Sequence, residues 1–337
     1  MLLSARHTLL FTGLIILLVI FFCLDLVFGS VSLPLKEVLQ NLLGTSSNTI
    51  YHEIIFNYRL PKAITAILAG SALSLAGVLM QTLFRNPLAG PDVLGVTSGA
   101  GLGVAILTLG TGFLPSYFLS SWGLISAAII GATLVLFLVI IVSFKIKQTV
   151  SLLIIGMMFG YFAGSIVSIL QNYSNPDTLK LFIHWTFGSL SSVSWEQLKI
   201  MAIAIFTGLT ISILLQKRLD ALLLGDNYAT TLGLSIFQTR ILIILATALL
   251  AGTSTAFTGP IGFVGITIPH IARGLFRTNK HHLLLPASFL CGAILMLICD
   301  LLSQVITTQG SLPINAITAF FGAPLIIYIM IRNINIG

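Results

Sequence analysis

The chain reads as an all-α polytopic membrane protein of about ten transmembrane helices. Three observations predict this. Its 337 residues are 57% hydrophobic and only 7% charged, where a soluble domain carries about 25% charged residues. A water-soluble fold of this size has too much surface to cover with so few polar side chains. Ten apolar runs succeed one another, most of them near the ~20 residues that a bilayer-spanning helix needs. Residues 1–337 are read as one transmembrane domain.

The first run, 8–28, is too long for the apolar core of a secretory signal, and no small-residue cleavage pattern follows it. It is expected to span. The second, 61–83, has a charged entry, Arg59-Leu60-Pro61-Lys62. Proline suits a helix start, where its missing N–H costs nothing, and one helical turn brings positions 59 and 62 together. Asn86-Pro87-Leu88 closes this run as a turn. The third run, 93–109, begins after Gly90-Pro91 and carries Gly95, Gly99 and Gly103. Every fourth residue returns to nearly the same face, and a face without side chains admits a second helix closely.

The fourth run is 122–143. The fifth, 150–171, starts at Thr149-Val150-Ser151 and repeats the spacing with Gly156, Gly160 and Gly164. Met157, Met158, Phe159 and Tyr161 interleave with that row. Methionine adapts to irregular shapes, so Met157, Phe159, Gly160 and Tyr161 are candidates to line a pathway. Lipid or neighbouring helices would suit them equally. Residues 172–197 form an external segment with Trp185 and Trp195, residues suited to a membrane interface. The sixth run, 198–216, leads into KRLDALLLGDNYATTLGLS at 217–235, read as an internal segment of two short helices broken at Gly225.

The remaining runs are 236–256, 260–275, 282–306 and 314–331. The third and eighth are short, and each follows a Gly-Pro pair. Gly90-Pro91 to Thr97 and Gly259-Pro260 to Thr267 share the order Gly-Pro, then Gly-x-Thr, the second stretch being one residue longer. Half a chain separates them, and their helices run in opposite directions. Helices two to five against seven to ten are therefore a candidate inverted repeat.

Orientation follows from lysine and arginine. With the N-terminus inside, the inner loops hold Arg6, Arg85, Lys145, Lys147, Lys217, Arg218, Arg240, Arg273, Arg277, Lys280 and Arg332. The outer ones hold only Lys36, Arg59, Lys62, Lys180 and Lys199. Both termini are expected in the cytoplasm.

Cys23, Cys291 and Cys299 lie in apolar runs and suit packing rather than a disulfide framework. The six histidines show no metal-site spacing. His281 and His282 suit a solvated loop, while His184, expected outside beside Trp185, is a candidate to touch a substrate or haem. Asp300 is the candidate intramembrane acid: either functional or paired near the outer interface. The phosphate-binding pattern G-x-x-x-x-G-K-[ST] is absent from the sequence, so an ATPase site is not expected here.

Several stretches together resemble the permease subunits of the ABC importers that carry iron–siderophore complexes, haem and cobalamin. These are residues 51–103, the segment from Leu224 to Gly233, GPIGFVGITIPHIAR at 259–273 and LPINAITAFFGAP at 312–324. The resemblance spans most of residues 30–331. It implies a homodimer with ten helices per subunit in the bacterial cytoplasmic membrane. It also implies two ATP-binding subunits below and an extracytoplasmic substrate-binding protein above. ATP binds to the partner, and no cofactor belongs to the permease.

Residue by residue, the resemblance implies docking of acidic lobes of the binding protein on Arg59 and Lys62. Many members have arginine at the latter position, and some have a basic residue near 304, where this chain has Gln304. It implies a cytoplasmic gate at Asn86, Leu88, Thr149 and Val150. It implies ATPase coupling through Gly225, Asp226, Ala229, Leu232 and Gly233. An iron chelate is the favoured cargo, with haem or cobalamin as the alternative. A secondary transporter would need midplane acids for ion coupling, and a membrane enzyme would need a polar catalytic cluster near an interface. The sequence offers Asp300 for the first and no such cluster for the second.

Overall fold

The computed structural model describes residues 5–29, 33–44, 49–110, 119–146, 148–306 and 312–334. The described residues contain no strand. Each of the ten apolar runs forms a helix. In chain order the helices are α1 (Ala5–Val27), two short helices α2 (Leu35–Leu42) and α3 (Thr49–Glu53), α4 (Leu60–Phe84), α5 (Val96–Leu109), α6 (Ser121–Lys145) and α7 (Thr149–Tyr173). There follow α8 (Pro176–Thr186), α9 (Trp195–Leu223), α10 (Asp226–Thr231), α11 (Ile236–Thr247), α12 (Thr253–Thr258), α13 (Val264–Phe276), α14 (His281–Val305) and α15 (Ile314–Ile334). π-helical turns at Ile54–Arg59 and Ala248–Gly252 join α3 to α4 and α11 to α12.

Seven spans are long and apolar enough to cross a membrane: α1, α3 with α4, α6, α7, α9, α11 with α12, and α14. Helix α5 and the apolar stretch Ile314–Tyr328 of α15 are shorter, as is the 13-residue α13. Among the described residues, seven of the ten expected spans thus meet this criterion, and the other three runs form shorter helices. The sixth apolar run understates its helix: α9 continues through 217–223, so only α10 is a separate helix in the segment 217–235.

Helix α4 is the axis of the molecule. Nearly every residue from Pro61 to Phe84 is buried, because α4 is apolar all round and meets α9, α11, α13 and α14. Its small residues set the distances. A methyl group on Gly70 would lie 2.2 Å from the Gly292 carbonyl oxygen, and one on Gly292 would lie 2.3 Å from that of Gly70. Beside this contact, Ser71 donates to the Phe289 carbonyl at 3.0 Å and Ser74 to that of Ser288 at 2.8 Å. Hydroxyl-to-carbonyl bonds of this kind hold helices together where no water competes.

The glycine rows of α5 and α7 prove to be packing faces. Gly99 and Gly103 abut the Gly131 and Ala127 carbonyls of α6, and Gly156 abuts that of Val93. Gly164 has nothing near it. The two halves share an adjacency: α5 packs on α6 and α7, and α13 packs on α14 and α15. Both short helices start after a residue with positive φ, Gly95 (72°) and Phe263 (67°).

The contacts sort the loops into two ends. Arg6 donates to the Leu275 carbonyl, and Arg240 reaches Thr149. Both arginines belong to the set predicted inside. At the opposite end, the Trp195 indole donates to the Phe56 carbonyl at 2.8 Å. Alternation of the chain between two ends is therefore a property of the fold.

Candidate functional site

At the end predicted inside, α4 terminates on Arg85, whose φ of 46° is left-handed. The Asn86 side chain accepts from the Leu88 amide at 2.9 Å, which closes the Asn-Pro turn. Helix α13 clamps this turn. His270 Nε2 donates to the Pro87 carbonyl at 2.8 Å, Arg273 donates to the Gln81 side chain, and Gln81 donates to the Ile266 carbonyl at 3.2 Å. The sequence placed His270 and Arg273 in a recurring stretch without giving them this role. Their i, i+3 spacing on one helix face was the available signal. Leu88 is 38% exposed and Val150 67% exposed.

Asp226 binds this region together. One of its carboxylate oxygens pairs with Arg85, and the other with Arg240 at 2.8 Å. Arg85 also donates through Nε to the Leu222 carbonyl at 3.0 Å, and Arg240 donates to the Thr149 hydroxyl at 3.0 Å. The gate candidates near 86–88 and at 149 are thus brought to the coupling candidate by two arginines.

Gly225 (φ 110°) and Gly233 (φ 80°) bracket α10. Positive φ at both positions makes glycine the fitting residue. Ala229 is fully buried within the chain, whereas Leu224, Tyr228 and Leu232 are more than half exposed. Ala229 faces inward because α10 packs on α9 and α11, so within the coupling segment the exposed side chains are those of its neighbours.

The end predicted outside departs from the expected exposure. Arg59 and Lys62 do not form an exposed basic patch; each is 6% exposed. Lys62 pairs with Asp300 at 2.6 Å and lies 3.6 Å from Asp25. Arg59 donates to the carbonyls of Leu26 and Val27 at 2.6 and 2.7 Å, at the end of α1. Gln304 donates to Asp300 at 2.9 Å. An arginine or lysine held by carboxylates and helix-end carbonyls is occupied as a structural cation. Asp300 is accordingly a partner of Lys62. Asp25, fully buried, escaped the sequence reading because it sits at the end of a strongly apolar run.

The pathway candidates divide. Met157 and Tyr161 lie on the exposed face of α7, 37% and 70% exposed. Phe159 packs toward the core, and a methyl on Gly160 would meet the Ser98 hydroxyl of α5 at 3.2 Å. The four do not share one wall. His184 and Trp185 line a cleft of about 190 Å³ with Thr258 and Gly259, smaller than the ~300–1,000 Å³ usual for small-molecule sites. His281, expected in a solvated loop, is fully buried. Its Nδ1 lies 2.6 Å from Asp220, and its Nε2 lies 2.8 Å from the Thr82 hydroxyl, so it ties α9, α14 and α4 together.

Similar proteins agree with this architecture. The vitamin B12 import system permease protein BtuC of Vibrio cholerae is 36% identical over 288 residues, 85% of either chain. That of Klebsiella pneumoniae is 36% identical over 83% of this chain and 82% of its own. A solved structure described as an inward-facing conformation of a proposed metal-chelate type ABC transporter superposes with a TM-score of 0.85. It is 32% identical and covers 96% of this chain and 99% of its own. PsaBC from Streptococcus pneumoniae in complex with Fab, at 16% identity and a TM-score of 0.53, shares the fold over 86% of this chain. The family model of FecCD transport matches residues 17–332, and the chain belongs to the FecCD transport family.

Proposed function

We propose that this chain is the membrane permease of an ABC importer for a metal chelate, with iron–siderophore complexes as the first candidate cargo. It works as a homodimer in a bacterial cytoplasmic membrane, both termini inside. ATP-binding subunits lie on the inner side and a substrate-binding protein on the outer side. ATP binds only to the partner, and the permease needs no cofactor of its own. The observation that carries this reading is the match of nearly the whole chain, at 32% identity, to a transporter described as of metal-chelate type. Cobalamin is the second reading, favoured by the curated relatives' names.

Leu88 and Val150 are the proposed gate side chains, each exposed at the inner end. The experiment is reconstitution with the co-purifying ATP-binding subunit and the cognate binding protein. A ferric siderophore should stimulate ATP hydrolysis, while haem and cobalamin should not. Stimulation by cobalamin alone would move the assignment to the second reading, and failure to retain any ATP-binding subunit would sink both. In the same cells, a cysteine at Asp177 should label from outside and one at Thr278 only after permeabilisation.

The exposed apolar side chains of the coupling segment predict a specific pattern. Leu232→Asp should weaken retention of the ATP-binding subunit about tenfold, since a few apolar anchors dominate most interfaces, and leave permease levels in the membrane unchanged. Ala229→Glu should instead lower those levels, because it buries a charge inside the chain. Pull-down against immunoblotted membrane content separates the two effects.

A further inference from the structure

We propose that Asp226 is the positioning residue through which one coupling segment drives both inner gates. Arg85 carries the movement to residues 86–88, and Arg240 carries it to Thr149. This rests on the importer reading above and deepens it.

The geometry is a divided bridge. The two carboxylate oxygens of Asp226 serve different arginines, Oδ1 for Arg85 and Oδ2 for Arg240. A guanidinium is a rigid planar fork, so each arginine can hold a second partner in a fixed direction. Arg85 holds the Leu222 carbonyl with Nε. Arg240 holds the Thr149 hydroxyl with the same nitrogen, Nη2, that meets Asp226.

Neither connection is remote from its gate. Arg85 directly precedes Asn86, and its backbone is already turned into the left-handed region, so displacing its side chain bears on the start of the turn. Thr149 is the first residue of α7, adjacent to Val150. The Arg240 side chain is only 10% exposed, so removing its carboxylate partner leaves a nearly buried cation poorly compensated.

On the driving side, Asp226 opens α10 immediately after Gly225, whose φ of 110° lets α10 turn against α9. Leu224 and Tyr228 flank the acid and are exposed, so a protein pressing on them would move the carboxylate directly. Coupling between separated sites needs a physically continuous element that both sites bias. Here that element is one carboxylate and two arginines.

The test uses the full permease co-purified with its ATP-binding subunit, native cysteines replaced. One spin label goes on Glu196→Cys at the outer end, and the second on Leu88→Cys or Val150→Cys. The probe is the change in each distance between the nucleotide-free and the ATP–vanadate state. Unsubstituted at 85, 226 and 240, the complex should move both labels.

Arg85→Gln should diminish the movement at 88 about fivefold and spare that at 150; Arg240→Gln should do the reverse; Asp226→Asn should diminish both, within the range of ordinary coupling energies. ATP hydrolysis should continue in all three, and Asp226→Glu should restore part of the movement. Equal loss at both labels in every variant would mean a static staple, and unchanged movement would mean no role; either result overturns the proposal. Absence of any ATP-driven movement in the parent complex would overturn the importer reading and this inference with it.

Discussion

Lys62→Met should destabilise the permease by about 3–5 kcal/mol, the cost of leaving buried carboxylates without their cation. Lys62 and Asp300 are both nearly inaccessible and 2.6 Å apart, and fully buried Asp25 lies at 3.6 Å. One oxygen of Asp25 already lacks any hydrogen-bond partner, so loss of the ammonium adds to a need that is already unmet. Lys62→Arg should retain most of the stability because it keeps the charge. Lys62→Met with Asp300→Asn should recover part of the loss by removing one of the stranded charges. Asp25 would then retain the nearby Arg59 as an electrostatic partner. Thermal stability in detergent and membrane content give the readout. A Lys62→Met protein as stable as the parent would return Lys62 to a surface role.

This outcome matters for how the outer face is understood. A charge reversal at Arg59 and Lys62 would weaken binding of an outer partner whether or not these residues touch it, because the ends of α1, α4 and α14 would come apart. Binding loss alone therefore says nothing about docking here. Only a variant whose stability is intact can be read as a contact.

The contrast between the two ends shows what the sequence could disclose. The ten helices were legible because bilayer thickness imposes a length on each apolar run, a local property. The Asn86-Pro87 turn and the break at Gly225 were legible because proline and glycine restrict or free the backbone where they stand. The partners of Lys62 were not: Asp25 and Asp300 come from helices far away in the chain, and no periodicity links them. The same holds for His281, whose neighbour His282 and position after Lys280 suggest a solvated loop, while Asp220 and Thr82 bury it from two other helices. Helices α2 and α3 were missed because they are short and not apolar runs. Burial of Ala229 was hidden because a small residue on a short helix gives no sign of which way it faces.

Gly77→Ala should be the most damaging single methyl group in the helix bundle. A Cβ at 77 would lie 1.7 Å from the carbonyl oxygen of Gly265 and within 3 Å of its carbonyl carbon and Cα. These are backbone atoms, so no side-chain rotation relieves the clash; α4 and α13 must separate. They cannot separate alone, because Gly265 in turn abuts Pro91: a methyl on Gly265 would lie 2.6 Å from the proline ring. Pro91 from the first candidate half of the repeat and Gly265 from the second therefore meet at this crossing. Overpacking a core commonly costs about 1–3 kcal/mol, and a rigid backbone obstacle puts Gly77→Ala at or above the upper end. Gly164→Ala is the matched control: the same methyl, also in a spanning helix, with nothing within 4 Å. It should change stability by less than about 0.5 kcal/mol. The comparison is read from thermal unfolding in detergent and from transport by the reconstituted complex. Equal behaviour of the two alanine variants would show that α4 and α13 yield at this point, and that the close approach of Gly77 and Gly265 does not fix the two halves against each other.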